Sequence, residues 1–253
     1  MFNSGFVLRL FPVIAGMLLF SFSATASYSA SQEDRGGFSL GGTRVIYDGS
    51  KKEATVTVIN SAKDAPFLAQ SWVDNYVPSG EKRVVPDTRG KPPFLVTPPL
   101  YRQDQGKNML RIVRVGGQLP TDRESVYWLN VKAIPAVSPL LKGKNTLQFA
   151  YVLRIKLFYR PEGITGDPVS ASEQLTFRRQ GQNLVVKNPS PYYITFNKIS
   201  VGGAEVKDTT LMVPPLGEQQ YPLSATAAGK TVKYRVLNDH GGILPELTRE
   251  VSF

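Results

Sequence analysis

Cysteine and histidine, the residues most used for thiol, imidazole and transition-metal chemistry, are nearly absent from this 253-residue chain, which has no cysteine and one histidine. Thiol nucleophiles, thiolate metal sites and multi-histidine metal sites are excluded, and a Ser-His-Asp triad would rest on His240 alone. That histidine lies in Asn238-Asp239-His240-Gly241-Gly242, a turn signature. No catalytic residue, metal or cofactor is assigned. Asp122 and Glu124 stand two residues apart and would share one face of a strand, a pairing that acid–base chemistry could recruit. The remaining chemistry is that of cations: 30 Lys and Arg oppose 20 Asp and Glu, a net charge of +10. A basic chain can meet nucleic acid, anionic lipid or an acidic protein. Here the cations are scattered, without a long block, which reads as a solvated surface and not as a nucleic-acid site.

Strands must position these groups. Residues 1–26 read as a cleavable export signal: Arg9, an apolar run from Leu10 to Phe22, then the small-x-small site Ala24-Thr25-Ala26. No other stretch is long and apolar enough for membrane insertion. Removing Arg9 leaves 29 basic against 20 acidic residues, +9 for the mature chain. Residues 27–37 are small and polar, a flexible mature N-terminus. From there the pattern is strand after strand, with no amphipathic helix. Strands are predicted at Phe38–Tyr47, Ala54–Asn60, Phe67–Tyr76 (with Trp72 a candidate core aromatic), Phe94–Arg102, Met109–Val115 and Ser125–Ile134. Pro98-Pro99 marks Phe94–Arg102 as an edge strand or one with a break. A seventh strand, Leu147–Tyr159, is apolar or aromatic at every odd position and closes at Pro161. At about 3.3 Å per residue it is longer than one small sandwich needs, so its first half is expected to serve another protein.

Seven strands divided by turns predict an immunoglobulin-like sandwich over residues 38–161. Residues 162–168, rich in Gly, Asp and Pro, read as a hinge. Strands resume over 169–253 as a second, more weakly patterned β-sandwich. The fold class is all-β, two domains stabilised by their cores and not by disulfides.

Three segments together resemble the periplasmic chaperones of the chaperone–usher pathway, which deliver fimbrial (pilus) subunits. They are Thr43-Arg44-Val45-Ile46-Tyr47-Asp48-Gly49, the seventeen residues from Leu119 to Pro135, and Ile155-Lys156-Leu157-Phe158-Tyr159-Arg160-Pro161. The seventeen-residue segment is similar to the family signature along its whole length. The resemblance implies two immunoglobulin-like domains in a boomerang arrangement, and no enzyme. It implies that Arg44 and Lys156 hold the C-terminal carboxylate of a client subunit in the interdomain cleft. It implies that Leu147, Phe149 and Tyr151 lend their side chains to the client's incomplete sandwich. It implies an interdomain salt-bridge network of Glu124, Arg160 and Asp239. Lys156 has even parity and the donor residues odd, so twist or a bulge is expected to reconcile them. The connection Ala136–Thr146 is short and the chain lacks cysteine, matching the short-loop type; Pro139-Leu140-Leu141 within it extends the donor surface.

The expected partners are pilus subunits and an outer-membrane usher. An exposed apolar edge is an aggregation hazard, so self-association of the free protein is a further expectation. A secreted adhesin or carbohydrate-binding module is the alternative reading, and it would need an aromatic and polar cluster at loop tips.

Overall fold

The computed structural model describes residues 37–63, 65–78, 90–136 and 147–252. The export signal, most of residues 27–37 and Pro139-Leu140-Leu141 lie outside the described residues. The described chain is almost entirely β, with one five-residue 3-10 turn, Ser170–Gln174.

The first sandwich is built from β1 (Phe38–Leu40), β2 (Arg44–Asp48), β3 (Glu53–Asn60), β4 (Phe67–Asn75), β5 (Phe94–Thr97), β6 (Leu100–Gln103), β7 (Gly106–Arg114), β8 (Ser125–Pro135) and β9 (Tyr151–Arg160). One sheet has the order β1-β3-β7-β5 and the other β2-β9-β8-β4-β6. Between them lie Tyr47, Val58, Leu110, Ile112, Leu129, Val131 and Leu157. Alternation chooses the inward set: on β4 the odd residues Phe67, Ala69 and Val73 face the core.

Within these strands two sequence expectations are corrected and one is met. The predicted Phe38–Tyr47 strand is two strands: β1 pairs with β3 in one sheet, and after Gly41–Thr43 the chain crosses to pair β2 with β9 in the other. The break expected at Pro98-Pro99 is present: Phe94–Arg102 divides there between the two sheets as β5 and β6, and both are edges. Trp72 is not core. It falls on the even, outward face of β4, where its indole N–H donates to Asp74 Oδ2 at 3.0 Å. An aromatic was weighted above its parity.

The second sandwich holds β10 (Thr176–Gln180), β11 (Asn183–Asn188), β12 (Phe196–Val201), β13 (Ala204–Glu205), β14 (Gly217–Pro222), β15 (Thr231–Val236) and β16 (Leu247–Ser252). β16 joins its halves: it pairs antiparallel with β15 along one stretch and parallel with β10 at Phe177↔Val251. The order is β13-β12-β15-β16-β10-β11-β14, around Leu184, Val186, Ile199, Tyr221, Val232 and Tyr234. A third apolar cluster bridges the sandwiches: Val126 and Phe158 from the first and Met212 from the second, flanked by Ile46, Tyr76 and Tyr193.

Candidate functional site

β9 organises the site. β8 runs beside it without interruption, from Ser125↔Tyr159 to Ala133↔Tyr151. On its other edge β2 lies parallel, but only from Arg44↔Lys156 to Asp48↔Arg160. Among the described residues, no strand pairs with that edge of β9 from Tyr151 to Ile155. An open groove of about 380 Å³ lies there, its apolar lining supplied by Leu40, Leu153 and Ile155.

Arg44 and Lys156 are register partners where β2 begins. Neighbouring strands stand about 4.8 Å apart, so two cations are held side by side. Among the described residues, neither makes an ion pair or side-chain hydrogen bond, and Arg44 Nε is buried without a partner. Burial, then the Arg44 charge, lowers the Lys156 pKa from 10.5 to about 8. Burial also lowers Arg44, against the pull of the more distant Asp239 and Glu124 carboxylates. Two half-buried like charges with no ion-paired carboxylate among the described residues have donors free for an incoming anion.

Four residues further along β9, on the same face, Arg160 is surrounded by acceptors. It donates to Glu124 Oε1 from Nε at 2.9 Å and forks onto Asp239 at 2.9 and 3.0 Å. Glu124 also accepts from the Tyr193 N–H at 2.8 Å, and its own N–H donates to the Pro191 carbonyl. Burial pushes the Glu124 carboxyl up, opposed by Arg160. Arg160 lies 5.1 Å from the Tyr192 ring centroid. The network joins the end of β9 and the residue just before β8 in the first sandwich to the 188–193 and 238–242 segments of the second. Asp122, by contrast, is exposed and paired with Arg123, so Asp122 and Glu124 do not converge.

The donor residues differ from the expected strand. β9 begins at Tyr151, and Leu147 to Ala150 lie before it. Leu147 is 81% and Phe149 71% exposed, while Tyr151 is 39% exposed and touches the Phe67 ring edge-on. The β8–β9 register shows no bulge. Odd residues Leu153, Ile155, Leu157 and Tyr159 simply continue the core-facing side of the strand, and Lys156, Phe158 and Arg160 its opposite face. The parity difference is thus one of faces. Phe158 and its bridging cluster escaped the sequence reading; an apolar residue on the even face was the available signal.

The N-terminal domain model of the PapD pili and flagellar-assembly chaperones matches residues 37–165, and the PapD C-terminal domain model matches residues 170–248. The chain belongs to the PapD-like pilus-assembly chaperone family. It is 46% identical over 219 residues to a probable fimbrial chaperone LpfB of Escherichia coli O157:H7, covering 86% of this chain and 90% of that one. It is 39% identical over 240 residues to the chaperone FimC of E. coli K12, covering 94% and 92%. Among solved structures it is similar to the E. coli chaperone DraB (TM-score 0.71, 37% identity, 86% and 97% covered). It is also similar to a Salmonella enterica SafB chaperone–SafA pilin complex (TM-score 0.72, 31% identity, 85% and 96% covered). These PapD-like relatives share two immunoglobulin-like domains, the architecture found here.

Proposed function

We propose that this protein is a periplasmic chaperone that captures exported pilus subunits by strand addition and passes them to an outer-membrane usher. The observation that carries the reading is the half-empty edge of β9, ending at two unmatched cations. A client strand filling that edge continues the line of β2, and β2 runs parallel to β9. The client strand therefore runs parallel to β9 as well, with its C-terminal carboxylate arriving at Arg44 and Lys156. Each charge-assisted bond there contributes about 1.5–3 kcal/mol.

Leu147, Phe149 and Tyr151 supply apolar side chains to the client's core. Full burial of such a side chain is worth about 1.5–3 kcal/mol, and Tyr151, already packed on Phe67, contributes least. The carboxylate fixes the register, because a one-residue slip would turn every inserted side chain to the wrong face. Domain limits at 38–161 and 169–253, with a hinge at 162–168, fit this division of labour. The free protein would shield its donor segment by self-association. The adhesin reading draws no support from the described loops, since among the described residues the unmatched groups Arg44 and Lys156 lie on strands.

The test is capture. Tagged protein recovered from cells making their pili should bring down small β-rich subunits, and an Arg44→Ala/Lys156→Ala variant of unchanged circular dichroism should not. Equal recovery by both would sink the reading.

A further inference from the structure

Arg44 belongs to the first sandwich, yet much of its socket belongs to the second. Its guanidinium carbon stands 5.8 Å from the Phe158 ring centroid. Phe158 is itself buried, 5.9 Å from the Tyr193 ring and clustered with Met212, both from the second sandwich. Next to Arg44 in the chain, the side chain of Thr43 meets the 238–242 turn so closely that a Cβ on Gly241 would lie 2.2 Å from Thr43 Oγ1. Gly241 also has φ +81°, a left-handed conformation that a side chain would strain. Between these contacts lies a cavity of about 210 Å³, lined by Arg44 and Phe158 on one side and Tyr193, Asp239 and His240 on the other. Lys156 is not part of that lining.

We infer that the second sandwich is a working half of the carboxylate site: it sets the position of Arg44 through Tyr193 and Phe158 beneath the guanidinium and through Gly241 against Thr43. The inference rests on the reading of Arg44 and Lys156 as the anchor. Among the described residues no side-chain hydrogen bond fixes Arg44, and its Nε is buried without a partner. Its geometry therefore rests on packing and on the longer-range pull of Asp239 and Glu124, and a carboxylate receptor must be held within about 0.5 Å of its working position. Phe158, Tyr193 and Gly241 are thus positioning residues. The two anchors are unequal: Lys156 is placed by its own strand, Arg44 by the alignment of two sandwiches.

The readout is a ratio. An N-acetylated peptide of alternating Thr and Val is titrated into the full mature chain, once as the free acid and once as the C-terminal amide. The wild type should favour the acid at least tenfold. Phe158→Leu and Gly241→Ala should each cut that preference at least threefold while leaving amide affinity unchanged, and Phe158→Tyr should restore it. Gly241→Ala, in a surface turn, serves if Phe158→Leu does not fold. Arg44→Ala is the control. Loss of the preference in Arg44→Ala, with full retention in both other variants, overturns the inference and leaves the anchor standing. A preference undiminished in Arg44→Ala, or absent from the wild type, overturns both, as does failure of either peptide to bind.

Discussion

Lys156 and Arg160 stand four residues apart on one face of β9, and their surroundings are opposite. Arg160 is enclosed by two carboxylates and an aromatic ring. Lys156 has another cation beside it and no described anion within ion-pair distance. The chemistry of the side chains is similar, so the difference lies in what the fold has supplied. A cation matched internally ties parts of the protein together. An unmatched one is a cost to the free protein that only a partner's anion offsets.

The largest expected effect sharpens this contrast. Replacing Arg44 and Lys156 together by alanine should weaken capture of a C-terminal client strand by roughly 10²–10⁴-fold, two bonds of about 1.5–3 kcal/mol each. The same variant should unfold no earlier in urea, since it removes unmatched charge. Unchanged affinity, or a marked loss of stability, would break the comparison. Glu124→Ala should show the reverse. It strips a buried partner from Arg160 and should cost about 3–5 kcal/mol in urea unfolding; full stability in that variant would show that the network is dispensable.

Phe149→Ala comes next. It should weaken client affinity by about 1.5–3 kcal/mol in calorimetry without shifting the melting temperature, because the ring is 71% exposed in the free protein. A drop in melting temperature would mean that the ring is used internally. The smallest effect is one of pH. The folded pKa of Lys156, about 8, lies below its ordinary 10.5, so the folded protein carries fewer protons between those values. Its stability should therefore rise with pH across that window, as the charge that burial disfavours is lost. Client affinity should move the other way, falling by up to about tenfold per unit above pH 8. Lys156→Arg should flatten the affinity profile; a profile unaltered by that change would assign the titration to another group.

The all-β class and the two sandwiches were legible because period-2 alternation is a local property. Sheet membership was not. Nothing in Phe38–Tyr47 announces that the chain changes sheets at Gly41–Thr43, since the decision lies in the partners, β3 and β9. Trp72 was misread because size and aromaticity suggest burial, whereas parity on β4 turns it outward. Arg44 and Lys156 were selected through family resemblance. Their adjacency comes from a parallel pairing between distant segments, which no local pattern encodes. Phe158 was hidden in plain view: within Ile-Lys-Leu-Phe-Tyr it looks like one more core residue, and only the second sandwich gives its face a purpose.

The place where β2 starts has a further consequence. A visiting strand laid along β9 from Tyr151 to Ile155 meets Arg44 and Val45 at its end, so the track is closed by the protein's own chain. On the proposed anchoring, a polypeptide with residues still to come would have to leave the sheet edge before that point. If Arg44 and Lys156 anchor the client's end as proposed, the cleft would act as an inspector of finished chains, favouring a strand that stops there over the same strand carrying an unfinished tail or a read-through extension.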